Sequence, residues 1–130
     1  MTAILIAEII AALIALACLS LLAADFVRFL RAGGQRPART PVTSGAGHTL
    51  CGLALLASAL VHGVAATAYG SGAPGAAYAL GWLSLLAFAA SGASMIPYVK
   101  RRLPQPRAWH IRLFCTGMVL FCAHVVAARL

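Results

Sequence analysis

The chain has 130 residues, 62% of them hydrophobic and 9% charged, with a mean hydropathy of +0.94. A soluble domain of this length cannot hide so much apolar surface, which excludes an ordinary water-soluble fold and points to a lipid bilayer. The net charge of +8 does not announce nucleic acid, because the basic residues gather between apolar runs, as they do in membrane proteins.

Four runs are long enough to cross a bilayer, which takes about 20 apolar residues as helix. They cover residues 3–24, 48–69, 76–99 and 108–128. The expected fold is all-α, an integral membrane four-helix bundle forming one domain over residues 1–130, placed in a bacterial inner (plasma) membrane.

No basic residue precedes the first run, so the charged start of a secretory signal is missing. Ala15-Leu16-Ala17-Cys18 bears a faint likeness to a lipoprotein cleavage site, but the run is expected to stay as a permanent helix. Glu8 lies about two turns into it. It reads as a carboxylate reaching the interface or bonding a neighbouring helix, or, more sharply, as a proton or quinone group. Asp25 and Arg28, three residues apart, are expected to pair in solvent at the helix end.

The breaks between runs differ in charge. The first carries Arg28, Arg31, Arg36 and Arg39 with Gly33-Gly34, Pro37 and Pro41 as breakers. The second, Gly70-Ser71-Gly72-Ala73-Pro74-Gly75, has no charge. The third carries Lys100, Arg101, Arg102 and Arg107 with Pro104 and Pro106. Basic loops stay on the cytoplasmic side, so the first and third loops are expected inside and both termini outside.

The second and fourth runs hold the chain's four histidines, as two pairs with one spacing. His48 and His62 are 14 residues apart, and so are His110 and His124. An ionisable or ligating group at membrane depth is a functional hypothesis by default. In a left-handed bundle, 14 residues make two heptads and return to the same face, rising about 21 Å. One crossing separates the two runs, so they are expected to run parallel. That sets His48 level with His110 on the cytoplasmic side, and His62 level with His124 on the outer side.

Two facing imidazoles per level suit haem iron, whose four other ligands come from the porphyrin. Zinc or copper fits less well without a cysteine or carboxylate to complete the site. Cys51 and Cys122 lie near histidines in sequence, although burial is the usual fate of a free cysteine. The four cysteines include no Cys-x-x-Cys-His, which leaves b-type haem, two per chain. Arg39, Arg107 and Arg112 near the inner level and Arg129 near the outer one are candidate propionate partners, and topology accounts for the same residues. Trp82, Trp109, Tyr69, Tyr78 and Tyr98 flank span ends as an aromatic belt would. Ser58, Ser84, Ser91, Gly92 and Ser94 suit close helix packing.

The stretches His48-Thr49-Leu50-Cys51 through Leu60-Val61-His62-Gly63, and His110-Ile111-Arg112-Leu113 through Cys122-Ala123-His124, resemble the cytochrome b subunit of quinol:cytochrome c oxidoreductases. In that family the second and fourth helices of a four-helix core carry the haem ligands at this spacing. The chain also resembles other small four-helix dihaem cytochromes. The resemblance implies two bis-histidine haems, and transmembrane electron transfer between membrane quinone or quinol, or a redox partner protein, and an acceptor. The protein would then be an electron-transfer cytochrome, alone, as a homo-oligomer or as a subunit of a larger membrane oxidoreductase. Nothing matches that family's quinol-oxidising motif. Of its paired glycines, the first helix here has none and the third offers Gly81 and Gly92, about three turns apart and sharing a face.

The competing class is a non-redox membrane subunit that assembles or stabilises a complex, or a metal or proton conductor using the histidine ladder. With one Asp, one Glu and no phosphate-cradling glycine motif, nothing supports a hydrolase or phosphate site.

Overall fold

The computed structural model describes residues 2–34, 45–69 and 72–129. Arg36, Pro37, Arg39, Pro41, Gly70 and Ser71 of the expected loops lie outside the described residues. Among those described, every regular element is a helix: α1 Thr2–Arg31, α2 Gly45–Tyr69, α3 Gly75–Ala93, α4 Pro97–Lys100 and α5 Pro106–Ala127. Four of them, α1, α2, α3 and α5, are long and apolar enough to cross a membrane, as an integral membrane protein requires.

The two boundaries that differ most from the sequence reading do so for local reasons. The first helix runs seven residues past Ala24, because no breaker intervenes before Gly33 and Gly34. Those two adopt φ of 63° and 80°, a conformation that glycine reaches without a Cβ penalty. The Gly34 N–H bonds Phe29 O at 3.0 Å and the Gly33 N–H bonds Leu30 O at 3.1 Å, the paired bonds of a Schellman stop. The third helix ends at Ala93 instead of reaching Val99. Pro97 has no N–H to give and its ring crowds the carbonyl four residues back. Ile96 before it turns extended at φ −61°, ψ 134°, and Pro97 opens the short α4 instead. Pro106 likewise occupies the first turn of α5, where a missing N–H costs nothing.

The chain divides into two compact units, Met1–His62 and Gly63–Leu130, with the boundary inside α2. In the first, α1 and α2 run antiparallel: Glu8 lies beside His62, and Cys51 Sγ reaches Cys18 O at 3.4 Å. Large apolar side chains point outward in both units, with Leu50 70% and Val119 69% exposed. In water that surface would be costly, but against acyl chains it is not, since lipid tails are as apolar as leucine. The buried residues mix Leu19, Leu22, Leu55 and Phe88 with small and polar ones, among them Ala77, Ser84, Ser91 and Ser94, which let helix backbones approach closely.

The second unit is built on the antiparallel pair α3 and α5. Ala77, Ser84 and Ser91 recur every seven residues along α3, and His110, Gly117 and His124 do so along α5. The two series meet in three layers: Ser91 with His110, Ser84 with Gly117, and Ala77 with His124. A seven-residue repeat returns each contact to one seam. In the middle layer Ser84 Oγ donates to Gly117 O at 3.0 Å. Interhelical bonds of this kind contribute roughly 0.6–2 kcal/mol each in a membrane. The last turns of α2 add Trp82 Nε1 donating to Thr67 Oγ1 at 3.2 Å. The Trp82 indole also lies 3.5 Å from where a Cβ on Gly63 would stand, so Trp82 works at a helix seam as well as near a span end.

Candidate functional site

Two of the four histidines sit at the outer layers of the α3–α5 seam, and both are held in the same way. His110 Nδ1 lies 2.9 Å from Ser91 O. His124 Nδ1 lies 2.8 Å from Ala77 O. A carbonyl oxygen can only accept, so in each ring Nδ1 carries the hydrogen and donates it. In the neutral imidazole the lone pair is then on Nε2. Ser91 ties the first of these down twice more. Its hydroxyl donates to His110 O at 2.9 Å and its Oγ stands 3.0 Å from His110 Nδ1, near enough to share the ring N–H.

His62 belongs to the first unit and faces α1. Its Nδ1 is 3.7 Å from Glu8 Oε1, with the side chains 33% and 18% exposed. That nitrogen is itself buried and has no hydrogen-bond partner. Three of the four rings therefore turn Nδ1 toward an oxygen of an adjacent helix: a carboxyl for His62 and a backbone carbonyl for His110 and His124. His48 stands in the first turn of α2 and is exposed.

The arrangement has a chemical meaning. A ligating imidazole almost always donates its other ring N–H to a carbonyl or carboxylate, which fixes the tautomer, holds the ring plane and raises the donor strength of the free nitrogen. The donor set these helices offer is imidazole Nε2. Among the described residues, no three His, Cys, Asp or Glu side chains converge to hold a metal ion. Bis-imidazole haem iron needs no such cluster. His110 and His124 are each held as such a ligand is held, with Nδ1 on a carbonyl of the neighbouring helix.

Glycines clear space around the rings, though only one of the two read from the sequence does so. A Cβ on Gly81 would stand 3.1 Å from His124 Nδ1 and 3.2 Å from its Cε1. A Cβ on Gly92 would meet nothing within 4 Å, and Gly92 is exposed. The second space-making glycine is on α5: a Cβ on Gly117 would fall 2.7 Å from Phe88 Cδ1 and Cε1. Phe88 is buried and its ring also packs on Phe114, with centroids 5.7 Å apart. Gly81→Ala is accordingly expected to push the His124 ring off Ala77 O. The readout is the NMR signal of the His124 ring N–H in the purified protein; an unchanged signal would show that the ring tolerates the methyl group.

The basic residues proposed for propionates divide as follows. Arg107 and Arg112 lie on the first two turns of α5 and Arg129 just past its end, all three exposed. Arg39 lies outside the described residues. Arg102 stacks over the Tyr98 ring at 4.4 Å. Asp25 and Arg28 do pair, at 3.4 Å, but Asp25 is only 12% exposed against 55% for Arg28, so the pair is half-sheltered. An apolar pocket of about 260 Å³ lies where the end of α3 meets the start of α5, with Trp109 and Leu113 in its wall on either side of His110 in sequence. Its lining suits a hydrocarbon chain and has little with which to orient a polar head group.

The histidine pairs expected from sequence, His48 with His110 and His62 with His124, each take one residue from either unit. Within single units, the structure brings His62 to Glu8, His110 to Ser91 and His124 to Ala77. No family model, curated protein or solved structure matches this chain.

Proposed function

We propose that this chain carries electrons across a membrane through two non-covalent b-type haems. His48 and His110 would hold one, and His62 and His124 the other. The observation that carries the proposal is the shared treatment of His110 and His124, 14 residues apart on α5 and each bonded through Nδ1 to a carbonyl of α3. A structural histidine needs only one satisfied nitrogen, in any orientation. Two rings with the same nitrogen anchored, two heptads apart, are what one axial ligand at each of two levels needs.

When bound, each haem supplies a one-electron iron couple. The protein's own part is to present Nε2, to exclude water with apolar helices and to set the local dielectric, which together tune potential. Donor and acceptor would be membrane quinone or quinol, or a redox partner protein. A reduced-minus-oxidised spectrum of the purified protein tests this directly. Bis-imidazole b-type bands are expected, and a flat difference spectrum rejects the proposal.

One observation favours a second reading. A carboxyl beside a buried imidazole nitrogen inside the membrane, as Glu8 and His62 provide, is also what a proton path uses. Protein reconstituted in liposomes that shows no haem band yet conducts protons, with the flux lost in Glu8→Gln, would select that reading.

Orientation follows from charge. Eight of the ten basic residues fall at or beside the first and third loops, so these are proposed to be cytoplasmic and both termini outside. Single cysteines placed at Gly34 and Gln105 should label only from the cytoplasm, and one at Ser71 only from the outer face. Labelling of the Ser71 position from the cytoplasm alone would invert the direction assigned to each haem.

A further inference from the structure

Glu8 is one of two acidic residues in the chain, and it sits in the middle of an otherwise apolar helical stretch, Ile4 to Leu13, on α1. A carboxyl there is costly unless something uses it. Its Oε1 stands 3.7 Å from His62 Nδ1, and that nitrogen is one of two buried side-chain polar atoms among the described residues with no hydrogen-bond partner. The other two rings with a resolved Nδ1 contact show what the position calls for, since each meets a carbonyl oxygen at 2.8–2.9 Å. α2 faces α1 here, and the oxygen that stands beside this nitrogen is that of the Glu8 carboxyl. The carboxyl takes that place at 3.7 Å, about half an ångström beyond the ordinary N–H···O range, a gap that a rotation of the Glu8 side chain would close.

We infer that Glu8 is the positioning residue of His62: its carboxyl oxygen accepts the Nδ1–H, fixing the tautomer with the lone pair on Nε2. The inference rests on the haem reading of His62. It gives the histidines different supports, a side-chain carboxyl at His62 and main-chain carbonyls at His110 and His124. A side-chain acceptor can be changed by mutation where a main-chain one cannot. It also sits closer to the ligand's electronics: an acceptor on Nδ1 strengthens the imidazole as a donor and favours the ferric state.

The test is a spectroscopic redox titration of the purified full chain, with haem content measured on each sample. Glu8→Leu removes the acceptor and should raise the midpoint potential of one haem while leaving the other where it was. Glu8→Gln keeps a carbonyl oxygen in place and should return that midpoint most of the way to the wild-type value. Glu8→Leu and Glu8→Gln that both leave two unshifted midpoints would overturn the inference while the haem reading stands. So would equal shifts of both haems, or equal loss of both haems in the two variants, because a merely structural role predicts no rescue by glutamine. Absence of haem from the wild-type protein is a different result, and it removes the haem reading itself.

Discussion

Replacing His124 by alanine is expected to halve the haem content of the purified protein, and His62→Ala should remove that same haem. His48→Ala and His110→Ala should each remove the other one. An iron with one imidazole lost cannot keep its low-spin bis-histidine field, so the four variants should fall into two spectral classes, each with one member on α2 and one on α5. The α5 variants carry a second cost that the α2 variants do not. His110 and His124 each bond α3 through Nδ1, so their loss also takes roughly 0.6–2 kcal/mol from the seam. If His48→Ala and His62→Ala shared one loss and His110→Ala and His124→Ala shared the other, the pairing across helices would be wrong.

Gly117→Val should be the most damaging substitution away from any histidine. The new Cβ would need to stand 2.7 Å from the Phe88 ring, well inside contact distance, and Phe88 is buried with Phe114 against it. Overpacking of this kind costs about 1–3 kcal/mol. Here it acts at the central layer of the seam, between the two that anchor His110 and His124, so both rings should loosen together. The expected result is a lower unfolding temperature in detergent and partial loss of both haems. Adding Phe88→Ala should restore part of each, since it empties the space the valine methyl groups need. A Gly117→Val protein as stable as wild type would mean that α3 and α5 separate at no cost.

The four spans could be read from composition because a bilayer demands about 20 apolar residues in each crossing, whatever the packing. Helix ends were less legible. Extending α1 to Arg31 depends on where the chain first meets residues able to take positive φ, at Gly33 and Gly34. Cutting α3 at Ala93 depends on what Pro97 does to the carbonyl four residues back. Both signals were present, but hydropathy outweighed them. At the candidate site, the 14-residue spacing of the histidines stood out in the sequence, whereas their supports did not. Main-chain carbonyls such as those of Ser91 and Ala77 have no residue signature, so the bonds to His110 and His124 could only emerge from coordinates. Gly117 was findable, because it lies seven residues from each of them on the same heptad position. Gly92 shares a helix face with Gly81, but it is off the seven-residue seam and a Cβ on it would meet nothing within 4 Å.

Glu8 shows how a single residue can stay ambiguous in sequence and become specific in structure. As one carboxyl in an apolar helix it could have reached for the interface, a neighbour or a proton. Its place 3.7 Å from the buried Nδ1 of His62 is the neighbouring-helix alternative, with a histidine as the neighbour. His62, His110 and His124 are then alike in kind, each with Nδ1 toward an oxygen on an adjacent helix, although that oxygen is a carboxyl's for the first and a carbonyl's for the other two.

The most direct test of the whole account is a pyridine haemochrome assay on the purified chain, with protein quantified by amino-acid analysis. The account predicts a b-type spectrum, about two haems per chain by the two-level ligand count, and full extraction by acidified organic solvent. No haem, or haem that stays covalently attached after extraction, would contradict it.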